Sequence, residues 1–120
     1  MTGHTNTITS VNFSPDGAYL ASTGDDGLIL LWAIQDGQLH RQLGEHPAMR
    51  VVTFSPDGRL LAGASRSGIV LLWQVESGQL LRTLPLHAQR VNALAFHPDG
   101  KLLASASSDG TIHLLNVSSV

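Results

Sequence analysis

The chain has 120 residues, 42% of them hydrophobic and 13% charged, which is enough apolar material for one compact domain and too much for a disordered chain. A formal charge of -2 excludes a broad basic surface for nucleic acid or an anionic membrane, and the lack of cysteine excludes disulfides, thiolate metal sites and cysteine nucleophiles. The start, Met1-Thr2-Gly3-His4-Thr5-Asn6, has no basic stretch leading into an apolar one, and the longest apolar run, Leu28 to Ile34, is too short to span a bilayer, so the expected location is the cytoplasm.

The first predicted element is a strand over Ile8 to Phe13, rich in β-branched and aromatic residues. It ends at Ser14-Pro15-Asp16-Gly17, where Pro presets φ for the first central position of a turn, Asp suits the second and Gly supplies the left-handed residue. A second strand follows over Tyr19 to Thr23, then an Asp26-Gly27 turn, a third strand over Leu28 to Ala33, an Asp36-Gly37 turn, and a fourth over Gln38 to Leu43.

The same order then returns. Ser55-Pro56-Asp57-Gly58 lies 41 residues after the first such turn, flanked by strands predicted over Met49 to Phe54 and Leu60 to Ala64. Strands over Ile69 to Gln74 and Gln79 to Leu84 complete the unit, the last introduced by Ser77-Gly78. His97-Pro98-Asp99-Gly100 comes 42 residues later again, between strands over Val91 to Phe96 and Leu102 to Ala106, followed by Thr111 to Asn116. Three registers of the same neighbours make an internal repeat, and no segment has helical periodicity. A fourth strand is not placed for the third unit, which leaves one outer edge unpaired.

A repeat of roughly 40 to 45 residues with four short strands has the form of a β-propeller blade. The chain resembles the WD-repeat (Trp-Asp repeat) family over nearly its whole length, with Ser-Pro-Asp-Gly turns of the bacterial type. Gly3-His4 matches the family's Gly-His pair, Asp26-Gly27 its turn between the second and third strands, and Trp32 its Trp, although Ala33 replaces the Asp. The resemblance implies an all-β fold of four-stranded antiparallel blades, one segment over 1–120 with blades about 3–43, 44–84 and 85–120, the last without its outer strand.

The resemblance also implies a hydrogen-bonded network of His, Ser or Thr, Asp and Trp inside each blade. His4, Ser22, Asp26 and Trp32 fill all four positions of the first. The second has His46, Gly63, Ser67 and Trp73, and the third His87, Ser105, Asp109 and Leu115, so the later blades are expected to rely mainly on apolar packing. His, Ser and Asp are also the ingredients of a hydrolase triad, but repeated copies and the lack of a nucleophile elbow point to structure instead of catalysis. No Gly-x-x-x-x-Gly-Lys loop and no metal-binding histidine spacing occur, so neither a cofactor nor a metal is expected.

The resemblance further implies partners on one rim of the propeller channel, at the start of the first strand of each blade and in the loop between its second and third strands. Carried over by alignment, these positions are Thr7, Thr9 and Asp25, then Ala48, Arg50 and Arg66, then Arg90, Asn92 and Ser108. Arg50, Arg66 and Arg90 suit an acidic or phosphorylated peptide. The function implied is a non-catalytic scaffold for a protein or peptide partner, and the alternative a structural or regulatory propeller piece of a larger signalling protein. Three blades do not close a ring, so homo-oligomerisation is expected, a dimer of six blades before a trimer.

Overall fold

The computed structural model describes residues 1–46 and 48–118. Eleven strands are found among them: β1 Ile8–Phe13, β2 Tyr19–Gly24, β3 Leu28–Ala33, β4 Leu39–Glu45, β5 Met49–Phe54, β6 Leu60–Ser65, β7 Ile69–Gln74, β8 Leu80–Pro85, β9 Val91–Phe96, β10 Leu102–Ser107 and β11 Ile112–Asn116. They form two four-stranded antiparallel sheets, β1-β2-β3-β4 and β5-β6-β7-β8, and a three-stranded one, β9-β10-β11.

The strand ends differ from the sequence-based expectation by a residue or two, for reasons visible in the ladders. β4 and β8 start one residue late because the Gln38 and Gln79 carbonyls close the preceding turns, accepting the amides of Ala33 at 3.0 Å and Gln74 at 2.8 Å. They run further because Glu45 pairs with Leu28 and Pro85 with Ile69. β2, β6 and β10 gain a residue by pairing back onto Ile8, Met49 and Val91. β11 begins after Thr111, whose carbonyl is held in a turn by the Ser107 amide.

The Ser-Pro-Asp-Gly turns are built alike. Gly17 and Gly58 sit at φ 74° and 75°, the left-handed region open to glycine. Asp57 Oδ1 accepts from the Ser55 hydroxyl at 2.7 Å and the Arg59 amide at 3.0 Å, and Ser55 Oγ accepts in turn from Leu60 N. In the third turn His97 replaces Ser, and its Nδ1 lies 3.0 Å from Asp99.

The sheets stack face on face through two apolar joints. In the first, Ala21, Ile29 and Leu31 meet Met49, Val52, Phe54, Leu61, Leu71 and Trp73. In the second, Leu60, Ala62, Ala64, Val70 and Leu72 meet Val91 and Leu103, with Leu94, Phe96 and Leu115 packed alongside. The middle sheet therefore gives one face to each joint, and every residue of β6 is buried. Full burial of each such Val, Leu or Phe side chain contributes roughly 1.5–3 kcal/mol. The innermost strands β1 and β5 are also tied by polar contacts: Ser10 Oγ accepts the Val52 amide at 3.2 Å, and Asn12 Oδ1 the Phe54 amide at 3.0 Å.

Candidate interaction rim and the polar networks beneath it

Within the first sheet the polar side chains form one directional chain. Trp32 Nε1–H donates to Ser22 Oγ at 2.9 Å, the Ser22 hydroxyl donates to His4 Nε2 at 2.7 Å, and His4 Nδ1–H donates to Asp26 Oδ2 at 2.9 Å. In a neutral imidazole this is the Nδ1–H tautomer, with Nδ1 donating to the Asp26 carboxylate and Nε2 accepting from Ser22. Burial raises the Asp26 carboxyl pKa, but the Thr5 and Leu28 amides and His4 outweigh it and leave the carboxyl below its ordinary range. Asp26 thus anchors both the segment before β1 and the turn before β3.

In the third sheet His87 Nε2 lies 2.8 Å from Ser105 Oγ, while Nδ1 faces Thr111 Oγ1 at 3.0 Å and Asp109 Oδ2 at 3.3 Å. The Thr111 hydroxyl is the first cause of the lowered Asp109 pKa. Leu115 stands at the Trp position and packs in the apolar joint instead. The His113 and His87 rings meet in a T-shaped pair, with centroids 4.7 Å apart.

The second sheet has no hydroxyl at Gly63. A Cβ there would lie 2.7 Å from Met49 Cε and 2.9 Å from Trp73 Cζ3, so a thioether fills the notch that Ser22 uses in the first sheet. Ser67 turns to the Ser65 hydroxyl at 2.7 Å. The His46 amide donates to the Gly27 carbonyl at 2.7 Å.

Chemically, the His4–Ser22–Asp26 set has the contacts of a triad. Ser22 Oγ, however, also accepts the Trp32 N–H, and Ser22 is buried, so a lone pair a nucleophile needs is already engaged. Among the described residues no group of three or more His, Cys, Asp or Glu side chains is placed to hold a metal ion.

The rim residues occupy the ends of the sheets where one tie recurs in every unit. The Asp25 amide donates to the Thr7 carbonyl at 2.8 Å, the Arg66 amide to Ala48 at 2.9 Å and the Ser108 amide to Arg90 at 3.1 Å. Each tie pins the second turn of a sheet to the entry of its innermost strand. Thr9 reaches across the first joint, its hydroxyl 3.1 Å from the Met49 carbonyl. Arg66 Nη2 lies 3.1 Å from Asp25 Oδ1, an ion pair joining the first two sheets. Arg90 Nε and Asn92 Nδ2 both donate to Ser108 Oγ, at 3.2 and 2.9 Å. Arg50 lies half-buried, with its Nε out of water and making no hydrogen bond.

Alignment alone brought these positions together, but not the cross-joint contacts. Opposite charges at equivalent positions, Asp25 and Arg66, were the available signal for the ion pair. A surface cleft of about 530 Å³ at the opposite end of the first joint, lined by Tyr19, His40, Arg59 and Glu76 over Leu31, also escaped sequence reasoning because its walls come from two repeats.

Residues 1–33, 37–74 and 78–116 each match the family described as WD domain, G-beta repeat. Among curated proteins, the chain is 43% identical over 44 residues to Protein HIR1 of Kluyveromyces lactis, a match covering 37% of this chain and 5% of that protein. It is 45% identical over 38 residues to the small ribosomal subunit protein RACK1z of Arabidopsis thaliana, covering 32% of this chain and 12% of that one. Each match thus spans a small part of a much longer protein. A solved structure of the WD40 repeats of RRP9 superposes with a TM-score of 0.93 at 29% identity, covering 98% of this chain and 38% of that one.

Proposed function

The chain belongs to the WD domain, G-beta repeat family, and from that premise we propose that it is a non-catalytic scaffold that binds a protein or peptide partner on the rim. It acts in the cytoplasm and needs neither cofactor nor metal. The observation that carries the reading is Arg50. Its Nε is buried without a hydrogen bond, at the start of β5. A half-buried arginine with an unused Nε donor favours an incoming carboxylate or phosphate. Arg90 stands on the next sheet, and Arg66 adds charge that Asp25 offsets in part. Supporting the reading, the rim side chains are spared from the apolar joints, and the recurrent amide ties hold their backbone in place.

The test is fluorescence anisotropy with a labelled polyglutamate peptide and its phosphoserine counterpart. The wild type is expected to bind both, more weakly as salt rises, and the Arg50→Glu, Arg66→Glu double variant at least tenfold more weakly. Unchanged affinity in a folded double variant would remove the basic rim from the proposal. A second reading, a structural piece completing a larger assembly, is favoured by the apolar faces left open on the first and third sheets.

A further inference from the structure

The cleft at the end of the first joint opposite the rim lies where two residues differ from those that close the second joint. Leu31 and Val75 form its floor, and Tyr19 and His40 one wall. The two rings of that wall have centroids 5.0 Å apart and are inclined at 43°. In the second joint Leu60 takes the register of Tyr19, Leu81 that of His40 and Val117 that of Val75. These three side chains pack into the apolar core there, Leu60 at 4% and Val117 at 3% exposure. In the first joint Tyr19 and Val75 are only partly buried and His40 is exposed.

The second sheet supplies the facing wall, with the turn through Asp57 and Arg59 and, after β7, Glu76. The two walls are tied to each other beside the opening. Arg41, next to His40 in β4, donates from Nη1 to the carbonyl of Ser77, next to Glu76, at 2.6 Å. Its side chain needs glycine at the next position, since a Cβ on Gly78 would fall 2.6 Å from that Nη1. The cleft is therefore formed before anything enters it. Asp57 and Arg59 offset each other, with Arg59 Nε 3.0 Å from Asp57 Oδ2. Glu76 has no ion-pair partner among the described residues. One formal negative charge is left beside an aromatic wall and an apolar floor.

We propose that this cleft is a second binding site, separate from the rim, that takes an arginine side chain of a basic peptide. The aliphatic stem lies along Leu31 and Val75, the guanidinium plane faces the Tyr19 ring, and the Glu76 carboxylate accepts its N–H groups. A lysine brings a charge but no plane to stack, and an acidic side chain meets Glu76 and a guanidinium that Asp57 already engages. The volume of about 530 Å³ falls within the roughly 300–1,000 Å³ of ligand pockets, enough for one such side chain and its flanking backbone. The rim attracts anions and the cleft a cation, so one chain can hold two partners of opposite charge at the two ends of one joint.

The test is a titration of the isotope-labelled full chain with an acetylated and amidated Gly-Ser-Arg-Ser-Gly peptide, followed by amide chemical shifts. Saturable shifts are expected at Tyr19, His40 and Glu76, and their absence there would overturn the proposal. Counterpart peptides with citrulline or glutamate at the central position should bind at least about fivefold more weakly. Citrulline binding equal to arginine would remove charge from the recognition, and glutamate binding as tight would assign the cleft to Arg59; either result overturns the proposal. Glu76→Lys, at an exposed position, is expected to weaken the arginine peptide at least about fivefold. The Tyr19→Leu, His40→Leu double variant gives the first joint the residues of the second, and is expected to fold and to lose saturable binding. Unchanged affinity in either variant would overturn the proposal, and Glu76→Lys decides alone if the double variant does not fold. The Arg50→Glu, Arg66→Glu variant should bind the arginine peptide as the wild type does, so the cleft and the rim stand or fall separately.

Discussion

At the scale of single residues, the same position does opposite work in neighbouring sheets. Ser22 accepts from Trp32 and donates to His4, so Ser22→Ala strands a buried indole N–H and is expected to cost about 2–3 kcal/mol in urea denaturation. Inserting that serine into the second sheet is not a repair. Gly63→Ser puts a side chain onto Met49 and Trp73 and is expected to destabilise by about 1–3 kcal/mol. Adding Met49→Ala should recover part of this, giving a favourable coupling of at least about 0.5 kcal/mol in a double-mutant cycle. Asp57 shows its role through pH. The Ser55 hydroxyl, then the Arg59 amide and side chain, lower its pKa from 3.8 to about 2 in the folded protein. Its contribution is complete above the unfolded value and disappears as pH falls through 3.8 toward 2. Between about pH 5 and 2 the loss of thermal stability is expected to be shallower in Asp57→Asn than in the wild type.

At the scale of elements, what matters is which segment crosses which turn. Gly68 and Gly110 hold the same place in successive units, at φ 88° and 85°. A Cβ on Gly68 would fall 2.1 Å from the His87 carbonyl oxygen, because the connection from β8 to β9 passes over that turn and His87 N bonds Gly68 O. A Cβ on Gly110 meets nothing within 4 Å. Gly110→Ala should cost about 1 kcal/mol of backbone strain alone, and Gly68→Ala several times as much, read as the difference in melting temperature. This contrast also marks how far the sequence could be read. The strands and turns follow from local signals, Pro-Asp-Gly and alternating apolar runs, and all eleven were placeable with ends off by a residue or two. The His4–Ser22–Asp26–Trp32 chain was legible because all four residue types are present in order. Met49 in the Gly63 notch was not, because how side chains pack within one sheet is not given by the order of residue types, and the Asp25–Arg66 pair was not, because it depends on the seating of one sheet against the next.

At the scale of the whole molecule, the described residues form three sheets stacked in chain order, with an apolar joint between each pair of sequence neighbours. The first sheet is stitched to the second by Ser10 and Asn12 as well as by its core, whereas the inward-facing equivalents on β5 are Val51 and Thr53. The third sheet has three strands, so it is the element expected to detach first. The middle sheet, buried on both sides, has a different standing: it cannot open until a neighbour has left. Native-state amide exchange should therefore show a gradient running inward from β11, with β6 slowest of all. The β6 amides then behave as a clock that ticks only when the entire chain lets go. Any ligand or second copy that secures either end is expected to slow that clock, including at amides it never touches.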